Sequence, residues 1–315
     1  MKRKHLCLRL FGMAAAAAVM LCCASCTKPA GNIDFSQPQQ QTAPSASTAS
    51  PPLRIAFASV ISPKETRQSY QQFVNYIAQQ QQRPAVLLQK RTYGELNKLM
   101  DNGDADIAFF STGAYSAYHG KTPIELLAMT ETNGSVLYQT YLIAATDSDI
   151  TDFSQLQGRV FAFTDPLSYS GRQAVDFLLL DMNTTADTYF KSFFYTYNHD
   201  KSIWAVANHL ADAASIDSQI YDFVNQRNPQ LCENVRIFAV LPQAPTGPVV
   251  MRSDLPEEEK AELRRIFYSM DENPALHEAM ERTLIDKFVP PEPDLYDELR
   301  HKYNYIRSSA PGEYP

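Results

Sequence analysis

Ser168, Ser170 and Gly171 stand where an apolar strand, Val160 to Phe163, gives way to an apolar helical pattern running from Arg172 to Leu180. Small hydroxyl side chains and a glycine at a strand-to-helix turn suit the capture of an oxyanion. The first amides of a helix have no intrahelical acceptors, and the helix dipole places partial positive charge at that end. Ser168 and Ser170 would add hydroxyl donors, and Gly171 would let backbone approach closely. The same residues equally fit an ordinary serine N-cap on a βα turn. His199, within Asn198-His199-Asp200, heads another helical pattern and reads either as a surface residue or as a further donor.

Other chemistries fail on spacing. Gly120-Lys121-Thr122 looks like the end of a phosphate-binding P-loop, but Gly113 lies two positions too far upstream and Pro123 follows at once. His277-Glu278 opens like a zinc-protease helix, yet position 281 is Glu where a second imidazole is needed. A nucleophile elbow needs Gly where Ser168 stands. No enzyme activity, metal or cofactor is expected. Slow turnover of a bound ester during long incubation would be the mark of a hydrolase instead.

The elements that must position these residues begin after an export leader. Lys2, Arg3, Lys4 and Arg9 form a basic head, Phe11 to Leu21 an apolar run, and Ala24-Ser25 a small-residue cleavage site. The run is shorter than the ~20 residues of a membrane-spanning helix. Cys23-Ala24-Ser25-Cys26 resembles a bacterial lipobox with Cys23 in the usual leucine position, making Cys26 the expected lipidation site; cleavage by ordinary signal peptidase is the alternative. Thr27 after it resembles the outer-membrane sorting pattern of Gram-negative cells. Cys232 would be the one unmodified cysteine of the mature chain, which leaves no internal disulfide.

Residues 27 to 52, rich in Pro, Gln, Ser and Thr, read as a flexible tether. From Leu53 the composition is globular. Expected strands are Leu53 to Phe57, Ala85 to Gln89, Ile107 to Phe110, Val136 to Ala145, Val160 to Phe163, Phe193 to Tyr197, Ala213 to Ile216, Val235 to Val240 and Pro248 to Met251. Helices fall between them, one opened by Thr92 and Glu95 at capping-box spacing. The alternation predicts an α/β fold with largely parallel sheets. Removing residues 1 to 25 takes four basic and no acidic side chains and moves the formal charge from −7 to −11. A basic nucleic-acid footprint is absent. A buried site can still hold an anion with helix N-termini and neutral donors.

From about Leu53 to Ile306 the chain resembles the phosphate/phosphite/phosphonate-binding components of ABC transporters. Asp165-Pro-Leu-Ser-Tyr-Ser-Gly171 looks like that family's Asp-Pro-x-Ser-x-Ser-Gly loop, and Asn198-His199-Asp200 like its Ser-His-Asp segment. Asp212-Ala-Ala-Ser-Ile-Asp217-Ser218, Gly103-Asp104-Ala-Asp106 with Tyr115 beyond it, Thr246-Gly-Pro-Val-Val-Met-Arg, and Phe288-Val-Pro with Tyr296 downstream follow in the family's order. The resemblance implies a two-lobed periplasmic-binding-protein type II fold, each lobe a mostly parallel sheet flanked by helices. Lobe 1 would comprise 53–141 plus 250–315, and lobe 2 would comprise 142–249. It also implies a monomer that delivers a small oxyanion to an ABC permease in the membrane.

By the same resemblance Ser168, Tyr169 through its amide, and Ser170 meet the phosphoryl oxygens beside Gly171, and His199 donates to them. Tyr93 matches a ligand-facing aromatic of the opposite lobe and Tyr138 a tyrosine near the hinge; both equally suit core or rim positions. Tyr169 replaces a small residue, so its bulk is expected to narrow the pocket or cover the ligand. Gln219 and Gly247 occupy places where amine-binding members carry acids, which favours an anion without an amine, because a buried unpaired ammonium is costly. Asp217 either meets a protonated phosphoryl oxygen or caps the next helix. Rival readings are a lipoprotein that reports occupancy to a membrane sensor kinase, and a binder of another small anion or amine.

Overall fold

The computed structural model describes residues 50–58 and 63–309; the leader, Cys26 and residues 27–49 of the tether lie outside the described residues. Among the described residues thirteen strands are found: β1 (Leu53–Ala58), β2 (Ala85–Lys90), β3 (Ile107–Phe109), β4 (Ile124–Glu131), β5 (Leu137–Tyr138), β6 (Thr140–Ala145), β7 (Val160–Phe163), β8 (Ser192–Tyr195), β9 (Ala213–Asp217), β10 (Val235–Val240), β11 (Ala244–Pro245), β12 (Pro248–Arg252) and β13 (Lys287–Val289). The helices are α1 (Pro63–Gln80), α2 (Tyr93–Asp101), α3 (Thr112–Ser116), α4 (Ala174–Asp181), α5 (Ala186–Tyr189), α6 (His199–Ala207), α7 (Ser218–Arg227), α8 (Pro229–Cys232), α9 (Glu257–Tyr268), α10 (His277–Arg282) and α11 (Asp294–Ser309).

Two sheets carry the molecule, in orders β13-β4-β12-β3-β1-β2 and β10-β6-β9-β7-β8. The α/β class expected from the alternation is found, but neither sheet is mostly parallel. β1 runs parallel to β2 and β3, and β7 parallel to β8 and β9, whereas β12, β4 and β13, like β6 and β10, run antiparallel to their neighbours. The reason lies in the crossings. Only β6 and β12 arrive across a crossing; each needs no returning helix and enters in the opposite sense, so the strands on either side of it, β9 and β10 or β3 and β4, lie antiparallel to it. The stretch expected as one strand, Val136 to Ala145, is broken at Gln139: β5 pairs with β11 in a two-stranded ribbon, and β6 joins the second sheet. The chain therefore changes sheet at 139 and again at 246–247, a few residues ahead of the divisions at 141 and 249 drawn from the sequence.

Packing explains why each sheet holds its shape. Phe57, Phe73, Phe109, Phe267 and Phe288 interlock on one face of the six-stranded sheet. Phe161, Phe163 and Phe190 do the same in the five-stranded one. The last helix, α11, is tied to the second crossing, because the fully buried Tyr296 donates from its hydroxyl to the carbonyl of Thr246 at 2.7 Å. Cys232 is a buried free thiol. Among the described residues no helix is long and apolar enough to cross a membrane.

Candidate functional site

In open α/β sheets ligands bind beyond the carboxyl ends of the strands, and here two such edges face each other. Ala58 ends β1, and Tyr93 and Ser111-Thr112 follow β2 and β3 of the first sheet, while Ser168, His199 and Asp217 follow or end β7, β8 and β9 of the second. Together with Ser170, Tyr138, Thr130, Gln219, Thr246, Gly247 and the Thr283–Ile285 segment, they line a cavity of about 110 Å³.

The Ser168 turn is a π-helical turn, Tyr169–Gln173, that runs on into α4. Ser168 does cap it, its Oγ accepting from the Gly171 amide at 3.0 Å. The cap and the cavity do not compete, because the Ser168 hydroxyl proton remains free to be donated inward. Ser170 has no capping bond. The amides of Tyr169 and Ser170 have no acceptor among the described residues. Two placements differ from the sequence reading. The Tyr169 ring does not enter the cavity; it packs edge-on against Tyr138 at 6.2 Å and beside Phe177, so its bulk belongs to the core. Gly171 is absent from the cavity wall as well. Its missing side chain makes room for Thr164, whose Cβ would lie 2.4 Å from an added methyl.

His199 is fully buried and electrically neutral, burial pulling its imidazole down to about 3. The Asp217 amide donates to its Nδ1 at 3.1 Å, and the Thr164 hydroxyl lies 3.2 Å from the same atom. With Nδ1 accepting a backbone N–H, the ring proton resides on Nε2. Nε2 has no protein partner among the described residues, so the histidine offers the cavity a donor of fixed tautomer. Tyr93 and Tyr138 also keep their protons. Burial raises both hydroxyls, aided at Tyr93 by Asp165 and at Tyr138 by Asp217, while Thr112 and Ser170 beside Tyr138 pull the other way.

Asp217 combines the two roles that its sequence position left open. Its Oδ1 caps α7, accepting from the amides of Gln219 at 2.8 Å and Ile220 at 3.2 Å, yet the residue also lines the cavity. Burial pushes its carboxyl up to about 7. Gly247 can carry no side chain without moving backbone, because a Cβ there would meet the Phe110 carbonyl oxygen at 2.3 Å.

The two edges are pinned together. The Tyr93 amide donates to Asp165 Oδ2 at 3.2 Å, and Gln173 Nε2 to the Gly113 carbonyl at 3.3 Å. The sequence reading missed Ser111 and Thr112 on the wall. Their signal was present: Ser111-Thr112-Gly113 follows a buried strand and opens a helix just as Ser168 to Gly171 does, and Ser111 Oγ caps α3 by accepting from Ala114.

Over residues 55–296 the chain matches the family described as ABC transporter, phosphonate, periplasmic substrate-binding protein. It is 26% identical over 156 residues to the phosphonates-binding periplasmic protein of Escherichia coli (strain K12), a match covering 48% of this chain and 45% of that protein. The chain thus spans about half the length of the curated relative it matches. A binding-protein component of an ABC phosphonate transporter from Pseudomonas aeruginosa superimposes with a TM-score of 0.73 at 21% identity, over 83% of this chain and 90% of that one. A Prochlorococcus marinus protein solved in complex with methylphosphonate does so with a TM-score of 0.73 at 16% identity, over 81% and 98%. At such identities the likeness establishes the fold, that of the type II periplasmic binding proteins. The match along most of the chain's length places it in the family of periplasmic substrate-binding proteins of phosphonate ABC transporters.

Proposed function

We propose that this chain is the extracytoplasmic binding component of an ABC importer, lipid-anchored through Cys26 and the 27–52 tether, and that it closes as a monomer around a small amine-free phosphonate, phosphite or phosphate. The observation that carries the reading is the convergence of five neutral donors on one cavity: His199 Nε2–H and the hydroxyls of Ser168, Ser170, Tyr93 and Tyr138. The free Tyr169 and Ser170 amides lie at the turn that presents the two serines. Lobe 1 supplies Tyr93, lobe 2 the serine turn and His199, and closure follows as a population shift toward the state in which both can touch the anion.

Size supports a compact ligand. An apolar cavity of ~150 Å³ takes a benzene ring; about 110 Å³ suits a tetrahedral oxyanion with at most a small substituent. Charge supports the absence of an amine, since Gln219 is neutral and position 247 has no room for an acid, which leaves Asp217, half engaged in a helix cap, as the single acid on the described wall.

Calorimetric titration of the tether-free domain with phosphate, phosphite, methylphosphonate and 2-aminoethylphosphonate tests the reading. One of the first three should bind tightest. Tightest binding of the aminophosphonate would refute the amine-free assignment, and no binding to any of the four would refute phosphorus recognition.

A further inference from the structure

The chain leaves α10 for β13 through a turn, Thr283–Ile285, that forms part of the cavity wall. Leu284 holds a φ of +59° there, in the left-handed region where the residue just past a helix is ordinarily glycine. The turn has the hydrogen bonds of that glycine cap. The Leu284 amide donates to the Glu281 carbonyl at 3.2 Å and the Ile285 amide to the Met280 carbonyl at 3.0 Å. Leucine is disfavoured in this backbone because its Cβ crowds the following carbonyl oxygen. Strain of this kind persists only where the surroundings over-determine it, and it clusters at functional positions.

The packing of the side chain shows what the strained turn provides. Its backbone is tied to the six-stranded sheet: the Thr132 hydroxyl donates to the Leu284 carbonyl, and the Asp286 amide donates to the Glu131 carbonyl of β4 at 2.8 Å. The Leu284 side chain, however, packs against the other sheet, on the cluster that includes Ile203, Ile216, Ile220 and Val224. Every other member of that cluster lies between Tyr141 and Val235. Beside it the Arg227 guanidinium at the end of α7 lies 3.6 Å from the Glu281 carboxylate of α10, an exposed pair that adds little. Leu284 and Ile220 both line the cavity, and neither side chain can form a hydrogen bond.

We infer that Leu284 is a specificity-determining residue, a stop that limits the group carried on phosphorus to about the size of a methyl. This rests on the phosphorus reading above. The donors hold the oxygens, so the fourth substituent of a phosphonate is left to the apolar wall. A longer chain there has to displace Leu284 from its seat on the opposite cluster, and so it opposes closure.

The test is calorimetry with phosphate, phosphite, methylphosphonate and n-propylphosphonate on the wild type and on Leu284→Gly. Glycine adopts left-handed backbone freely, so this variant keeps the turn and removes only the side chain. The wild type should bind propylphosphonate about 10- to 200-fold more weakly than methylphosphonate. Leu284→Gly should narrow that gap by at least about tenfold. Methylphosphonate itself should bind several-fold more weakly to the variant, because the closed state loses an apolar contact between the sheets. Leu284→Asn, in which asparagine also accepts a left-handed backbone, should narrow the gap in the same direction and decides the matter if the glycine variant does not fold. An unchanged gap in a folded variant overturns the inference while phosphorus binding stands. So does a wild type that treats the two alkylphosphonates alike, binding both equally or neither. Failure of all four ligands to bind overturns the phosphorus reading as well.

Discussion

Gly113 lies outside the cavity wall, yet its substitution should weaken binding as much as the loss of a ligand contact. It is the second residue of α3, and a Cβ there would stand 2.4 Å from the Leu167 carbonyl oxygen, 2.6 Å from the Tyr169 amide nitrogen and 2.8 Å from Gln173 Oε1. All three atoms follow β7, in the opposite sheet. The Gln173 side chain can swing away, but the other two atoms are backbone at the start of the serine turn, where Ser168 and Gly171 are already bonded to each other. Within α3 itself an alanine is favoured over glycine by roughly 0.5–1 kcal/mol. The penalty therefore arises only where the two edges meet. Overpacking of this kind costs about 1–3 kcal/mol, which charged against the closed state corresponds to a Kd raised about 5- to 150-fold for Gly113→Ala. Calorimetry with the preferred ligand reads that change, and thermal melting of the ligand-free protein reads the fold. A variant that melts like the wild type and binds as tightly would refute the claim that the ligand is held by this approach of the two edges.

Ser170→Ala should raise Kd by a similar factor, from the loss of about 1–3 kcal/mol of hydrogen bonding to a charged ligand, with little change in melting temperature because Ser170 caps nothing; an unchanged Kd would remove it from the site. Below the unfolded histidine value of ~6.5 the unfolded chain binds a proton that His199, held at about 3, refuses, while Asp217, held up at about 7, keeps one that its unfolded form has released. The opposed slopes, about 1.4 kcal/mol per pH unit each, should offset each other, and His199→Gln should leave a protein whose urea stability rises as pH falls from 7 to 4; a fall would sink the assignment. Arg172→Leu should cost about 3–5 kcal/mol in urea unfolding, because it removes the buried guanidinium that bonds the Asp176 carboxylate through Nε at 2.7 Å and lies over the Phe163 and Phe193 rings; a loss below 1 kcal/mol would refute a structural role for the pair. Cys26→Ala should release the protein from membranes into the aqueous fraction, and retention would argue against the lipid anchor.

Much of this was legible because it is written locally. Val160–Phe163 and Val235–Val240 are found at their expected bounds, since apolar runs ended by turn residues need no tertiary information. Ile124–Glu131 was missed: its Leu126 to Met129 core is flanked by Glu125, Thr130 and Glu131, a composition that fits a loop until β12 and β13 close on it from both sides. The polarity of β6 and β12 was hidden for the same reason, because their antiparallel entry depends on the chain having just left the other sheet. The direction of Tyr169 was illegible because a π-turn turns side chains through a different angle from an α-turn, and nothing in Ser-Tyr-Ser-Gly announces it. Gln139, where one expected strand breaks, is marked by neither glycine nor proline.

On the proposed reading, an acidic chain that holds an anion without a cation on the described cavity wall solves a problem that a lysine or arginine would solve only by binding too many things. A buried guanidinium attracts any anion of suitable size, whereas donors of fixed direction reward the one whose acceptors meet them. The fold keeps its arginines elsewhere: Arg54 and Arg252 converge on Asp106, and Arg172 on Asp176. What faces the cavity is a histidine held neutral by burial, two tyrosines that cannot ionise at physiological pH and two serines at a helix start. Attraction at a distance is given up for selectivity on contact.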